Sequence, residues 1–132
     1  MKKLIITLLF TNLVFAQKQP ICKISESDLL KFSTNLISKN INLESKKTQL
    51  GYVIKSDEIT LLFKKDAENY SLLKIYGNSD IVKNIWLNNF NEKYVEESTE
   101  YSNTVLKTDY LDARFQYKSE KYYIEIYKCL KN

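Results

Sequence analysis

Near the C-terminus of this 132-residue chain, Tyr110, Asp112, Arg114 and Gln116 alternate along one run, and Tyr123, Glu125 and Tyr127 along the next. Side chains of a β-strand alternate between its two faces, so two strands joined by a turn would present all seven on one surface. A turn centred on Ser119-Glu120 pairs Arg114 with Glu125, Asp112 with Tyr127 and Gln116 with Tyr123, and places Ala113, Phe115, Tyr117, Tyr122, Ile124 and Ile126 on the opposite, apolar face. A one-residue slip would mix the two sets, so this register is well specified. Tyrosine and arginine are enriched at binding hot spots, and six of the ten tyrosines follow residue 100. The polar face is therefore the candidate binding surface. The plainer alternative is a solvated sheet face held by cross-strand pairs such as Arg114–Glu125.

Catalysis has few candidates. The chain has no histidine, which excludes a histidine triad, base or zinc ligand. Arg114 is the one arginine, so a phosphate clamp of several guanidinium groups is excluded too. Carboxylate, tyrosine or lysine chemistry remains, and pairs such as Asp109 and Asp112 exist, but nothing singles one out. There is no glycine-rich phosphate loop, no G-x-S-x-G elbow and no metal motif. Asp57-Glu58 and Asp66 with Glu68 lack calcium-loop spacing. Glu96, Glu97 and Glu100 read as the solvated end of a helix. No catalytic residue, metal site or cofactor is assigned. The lysines are interleaved with carboxylates, so no basic stripe points to nucleic acid.

The start of the chain is an address. Met1-Lys2-Lys3 is basic, Leu4 to Phe15 is apolar apart from Thr7, Thr11 and Asn12, and Val14-Phe15-Ala16 ends in a small residue. This is the layout of a cleavable export signal over residues 1–16, too short for a bilayer span of about 18 or more apolar residues. Removing Lys2 and Lys3 lowers the net charge from +4 to +2. Abundant Lys, Asn, Ile and Tyr match an AT-rich bacterial genome, so the expected destination is the periplasm or the medium. Cys22 and Cys129 are the two cysteines; an even pair in an oxidising compartment reads as a disulfide.

Residues 17–132 are expected to form a single domain, with no repeat and no linker. Leu29, Leu30, Phe32, Leu36, Ile37 and Ile41 are spaced for a helix over about 26–40, with a hydroxyl of the Ser25–Ser27 stretch at its start and Asn40 or Asn42 closing it. The period then becomes two: Tyr52 and Ile54, then Ile59, Leu61 and Phe63, form a hairpin about Ser56-Asp57, and Tyr70–Tyr76 is a third strand. Ile81, Val82, Ile85, Trp86, Phe90, Tyr94 and Val95 make the stripe of a second helix from Ser79 to about 97, breakable near 90, with Trp86 in the core. Strands at about 102–108, Tyr110–Tyr117 and Lys121–Leu130 complete the order α-β-β-β-α-β-β-β. The expected fold is α+β, an antiparallel sheet of about five to six strands with two helices on one face. These residues point to a non-enzymatic exported domain that binds another protein, such as a periplasmic inhibitor or immunity-type protein. The alternatives are a small-ligand or glycan-binding module using sheet aromatics, and a minor enzyme using carboxylates.

Overall fold

The computed structural model of the protein describes residues 21–90, 95–98 and 103–130; the expected export signal lies outside them. After a 3-10 turn, Glu26–Asp28, helix α1 (Leu29–Ile37) is followed by strands β1 (Glu44–Lys47), β2 (Gly51–Lys55), β3 (Ile59–Asp66) and β4 (Asn69–Gly77). Helix α2 (Ser79–Asn89) is followed by β5 (Val95–Ser98), β6 (Asn103–Lys107), β7 (Leu111–Lys118) and β8 (Lys121–Cys129). The strands form one sheet in the order β1-β2-β3-β4-β8-β7-β6-β5, each pair antiparallel. Each helix thus leads a four-stranded meander, and the two αββββ units meet where β4 pairs with β8.

The α+β class and the antiparallel sheet are as expected. The described residues contain eight strands rather than five or six, in the order α-β-β-β-β-α-β-β-β-β. One missed strand is β1, Glu44-Ser45-Lys46-Lys47, which is exposed throughout and has no apolar alternation to betray it. Its charges suit an edge, because they discourage pairing with another chain. The other is β5. Helix α2 stops at Asn89, eight residues earlier than the longest expectation, and Phe90 caps it with φ −120°. The Asn89 amide donates to the Ile85 and Leu36 carbonyls, which draws the end of the helix onto α1. Glu96 and Glu97 therefore lie on a strand, not at a helix end; Tyr94 and Glu100 lie outside the described residues.

Helix α1 also ends early. Ser38 takes φ 54°, and its N–H donates to the Thr34 carbonyl, so Ser38 closes the helix instead of Asn40 or Asn42. No side chain caps its start. The Ser25 hydroxyl donates to the Asp28 carboxylate and does not accept a backbone N–H as a helix cap would. For α2, the Asn78 carboxamide oxygen accepts from the Asp80 and Ile81 N–H groups, a standard side-chain cap.

The two helices share one face of the sheet. Phe32 of α1 meets Phe63 of β3 edge-on, and Trp86 of α2 stacks on Phe115 of β7. Between them, Ile54, Leu61, Leu72, Ile75, Ala113 and Ile124 are fully buried. Among the described residues, no helix is long and apolar enough to cross a membrane.

The seam between the units is not strand pairing alone. Only Lys74, Ile75 and Tyr76 of β4 are registered against β8. Beside the first half of β4 the lead-in chain takes over, with Ile24 and Tyr70 exchanging backbone hydrogen bonds and Leu72 N–H donating to the Ile21 carbonyl. The Cys22–Cys129 disulfide, with Cα atoms 5.5 Å apart, then ties this lead-in to the end of β8. The bridge expected from the sequence is present, and it stitches the gap where β4 and β8 diverge.

Candidate binding surface

The β7–β8 hairpin has the expected register for Phe115–Ile124, Ala113–Ile126, Tyr117–Tyr122, Arg114–Glu125 and Gln116–Tyr123. It departs from it at one point. A bulge after Asp112 leaves Tyr127 without a partner, so Asp112 lies opposite Lys128 instead of Tyr127. Asp112 stays on the same face as Arg114, since residues two apart on a strand share a face, and it is nearly covered there: only 8% of the residue is exposed.

The ion pairing departs from the expectation as well. Arg114 faces Glu125 in register, yet its Nε lies 3.3 Å from the Asp112 carboxylate two residues back on the same strand. Glu125 is instead approached by Lys74 of β4, at 3.8 Å. The expected Arg114–Glu125 pair is thus replaced by two others.

Each cation also sits on an aromatic ring. The Arg114 guanidinium lies 4.1 Å from the centroid of Tyr127, whose hydroxyl accepts a hydrogen bond from the Gln116 amide at 3.3 Å. The Lys74 ammonium is 4.8 Å from the Tyr123 ring and 5.9 Å from that of Tyr76. Such contacts contribute about 0.5–1 kcal/mol at exposed sites and, more usefully here, hold long side chains in one place. Burial, helped by the Glu125 carboxylate and Tyr127, raises the Tyr123 phenol above its ordinary pKa, so it stays a neutral donor.

Six of the seven expected residues therefore share one surface: Asp112, Arg114, Gln116 and Tyr127 form one cluster, and Tyr123 and Glu125 join a second through Lys74. Tyr110 is apart from both. It sits exposed on the turn before β7, where its carbonyl accepts from the Leu130 N–H. Lys74 and Tyr76 belong to the surface and were missed. Their period-two spacing in β4 is visible in the sequence, but nothing local says that β4 neighbours β8. Across the sheet, one transverse row on this face reads Val53, Leu62, Lys74, Glu125, Arg114, Val105. Both helices pack on the other side, so among the described residues no helix covers it.

Compared with protein-family models, with curated proteins and with solved structures, the chain matches none. Function has to be read from this surface itself.

Proposed function

We propose that the chain is an exported, non-enzymatic domain that acts by binding another protein through the outer face of β4, β8 and β7, as a small periplasmic inhibitor or immunity-type protein would. The observation that carries this is the pair of cation-on-tyrosine clusters, Arg114 over Tyr127 and Lys74 over Tyr123, on a sheet face that no described helix covers. Side chains already held in place lose less entropy on association, and tyrosine and arginine are the residues that most often carry binding energy. Export is supported by Lys2-Lys3, the Leu4–Phe15 run and Ala16, and by the Cys22–Cys129 bridge, which suits an oxidising compartment.

The test starts with protein from the native host. Intact mass should show a chain beginning at Gln17; a full-length chain in the cytoplasm would reject export. Capture from a periplasmic extract should then yield a stoichiometric partner. Tyr127→Ala should weaken that complex about 30-fold, the equivalent of a hot spot of about 2 kcal/mol, with little change in melting. Arg114→Ala should weaken it as well, but at a folding cost of about 1–3 kcal/mol, because Asp112 is left buried without its cation. Unchanged affinity in both would remove this face as the binding site.

A further inference from the structure

At one end of the same face the sheet opens into a cleft of about 870 Å³. It exists because the two central strands part company. Pairing of β4 with β8 stops at Tyr76, β4 itself ends at Gly77 (φ +140°), and the chain enters α2, whereas the β7–β8 hairpin runs on to its tip at Ser119-Glu120. A Cβ on Gly77 would overlap the Glu58 carbonyl, so glycine is what lets the β2–β3 turn close against this point.

The cleft is electrically divided. Its floor carries Tyr76, Tyr123 and the Lys74–Glu125 pair. One rim is the β2–β3 turn, with Asp57 and Glu58; the other is the hairpin tip, with Lys118 and Lys121. All four rim groups are exposed, and no ion pair among the described residues uses any of them.

The basic rim is also built against local preference. Lys118 and Lys121 are directly opposed across the hairpin, where like charges repel. The two residues between them, Ser119 and Glu120, take φ 53° and 65°, the left-handed conformation a two-residue turn wants from Asn-Gly. Departures of this kind from the locally best sequence concentrate at functional sites.

Building on the protein-binding role of this face, we propose that the cleft receives an extended segment of the partner with a basic residue at the Asp57–Glu58 rim and an acidic residue at the Lys118–Lys121 rim. A simple anion would satisfy one rim and be repelled by the other. A neutral sugar could hydrogen-bond to both rims but would bring no opposite charge to either. The spacing follows from the sheet: the β2–β3 and β8–β7 turns are three strand positions apart, about 14 Å. An extended chain covers that in about four residues, and an even separation puts both charged side chains on the same side.

Blocked pentapeptides test this directly: Lys-Ser-Thr-Ser-Glu, with Lys-Ser-Thr-Ser-Lys and Glu-Ser-Thr-Ser-Glu as controls, titrated into the isotope-labelled mature protein. The mixed-charge peptide should shift the amides of Glu58, Gly77 and Ser119 saturably and bind about fivefold tighter than either control. The double variant Lys118→Glu, Lys121→Glu should reverse that preference toward the dibasic peptide while leaving the remaining amide spectrum in place. Equal binding of all three peptides, or no shifts with any, overturns the proposal; so does cellotetraose shifting these amides where the peptides do not. Because Arg114 and Tyr127 lie outside the cleft, the partner affinities of their variants stand or fall separately.

Discussion

The N-terminal unit, α1 with β1–β4, packs an aliphatic core of Ile54, Ile59, Leu61, Leu72 and Ile75, with the Phe32–Phe63 edge contact at its side. The C-terminal unit, α2 with β5–β8, is held by a run of parallel rings: Phe90 on Trp86, Trp86 on Phe115, and Phe115 on Tyr122, with centroids 5.0–5.6 Å apart. Their outer faces differ in the same sense. Val53, Thr60 and Leu62 face outward from the first unit; Arg114, Gln116, Tyr123 and Glu125 face outward from the second. Rings bury large apolar area and still carry polar ends to the surface, so an aromatic core lets one element both pack and display. One topology is thereby used twice: the first unit adds only its last strand to the polar surface, through Lys74 and Tyr76, and the second presents most of it.

If the two units are one cooperative body, the seam is where to strike first. Replacing Cys22 and Cys129 together by Ser removes a cross-link between positions 107 apart and should lower stability by about 4–5 kcal/mol in the chain-entropy picture. Urea unfolding should remain a single transition at a lower midpoint. Two resolved transitions would mean that the units fold independently and only happen to share a sheet.

Next come the cores. Trp86→Ala should cost about 3–5 kcal/mol, and Leu61→Ala about 2–5 kcal/mol through the cavity it leaves. Trp86 is the one tryptophan, so its fluorescence reports on the second unit while Leu61 perturbs the first. A midpoint followed by Trp86 emission that does not move in Leu61→Ala would break the cooperative picture.

A smaller change of opposite sign is expected at the hairpin tip. Glu120→Gly relieves a left-handed residue and should stabilise the protein by about 1 kcal/mol, part of the relief being offset by the freer unfolded chain. Thermal melting measures it, and a loss of stability would show that the Glu120 side chain has a structural task.

The smallest effect belongs to the first unit's edge. Lys47 of β1 lies 3.0 Å from Glu26, which also accepts from the Tyr70 hydroxyl. The Lys47 hydrogen bond foremost, then that from Tyr70, lowers the Glu26 pKa from its ordinary value. A lowered carboxylate stabilises the folded state above its unfolded pKa and loses that contribution as pH falls through the folded value. Wild type and Glu26→Gln should thus differ in melting temperature at pH 7, and the gap should close as pH falls below the ordinary carboxylate range. A gap that persists in acid would rule out this ionic origin.

Much of the candidate surface was legible because it lies within one hairpin. Short-range alternation and a two-residue turn set which of Arg114, Gln116, Tyr123 and Glu125 share a face. The bulge at Asp112 was not legible, since a single inserted position leaves no mark on composition or period, and neither was the Lys74–Glu125 pair, because β4 and β8 lie far apart in the chain. Strand β1 escaped notice because an edge strand exposed on both faces carries no apolar rhythm. The break of α2 near 90 was legible in its asparagine-rich middle; what escaped was strand β5, because the apolar stripe continues through Val95.

By itself, then, the amino-acid order determined what depends on neighbours a few residues apart: the two helices, most of the strands, the register of the last hairpin from its turn to Ala113–Ile126, the basic and apolar start, and the chemistry available to a chain without histidine. The cysteine pairing belongs there too, because two cysteines have one way to pair within a chain. Tertiary structure decided the meeting of β4 with β8, the lead-in strand beside Tyr70, the placing of Lys74 over Tyr123 and the divided cleft beyond them. These join residues 46 to 64 positions apart, and such contacts are selected by the summed burial and hydrogen bonding of the whole sheet, which no local pattern encodes.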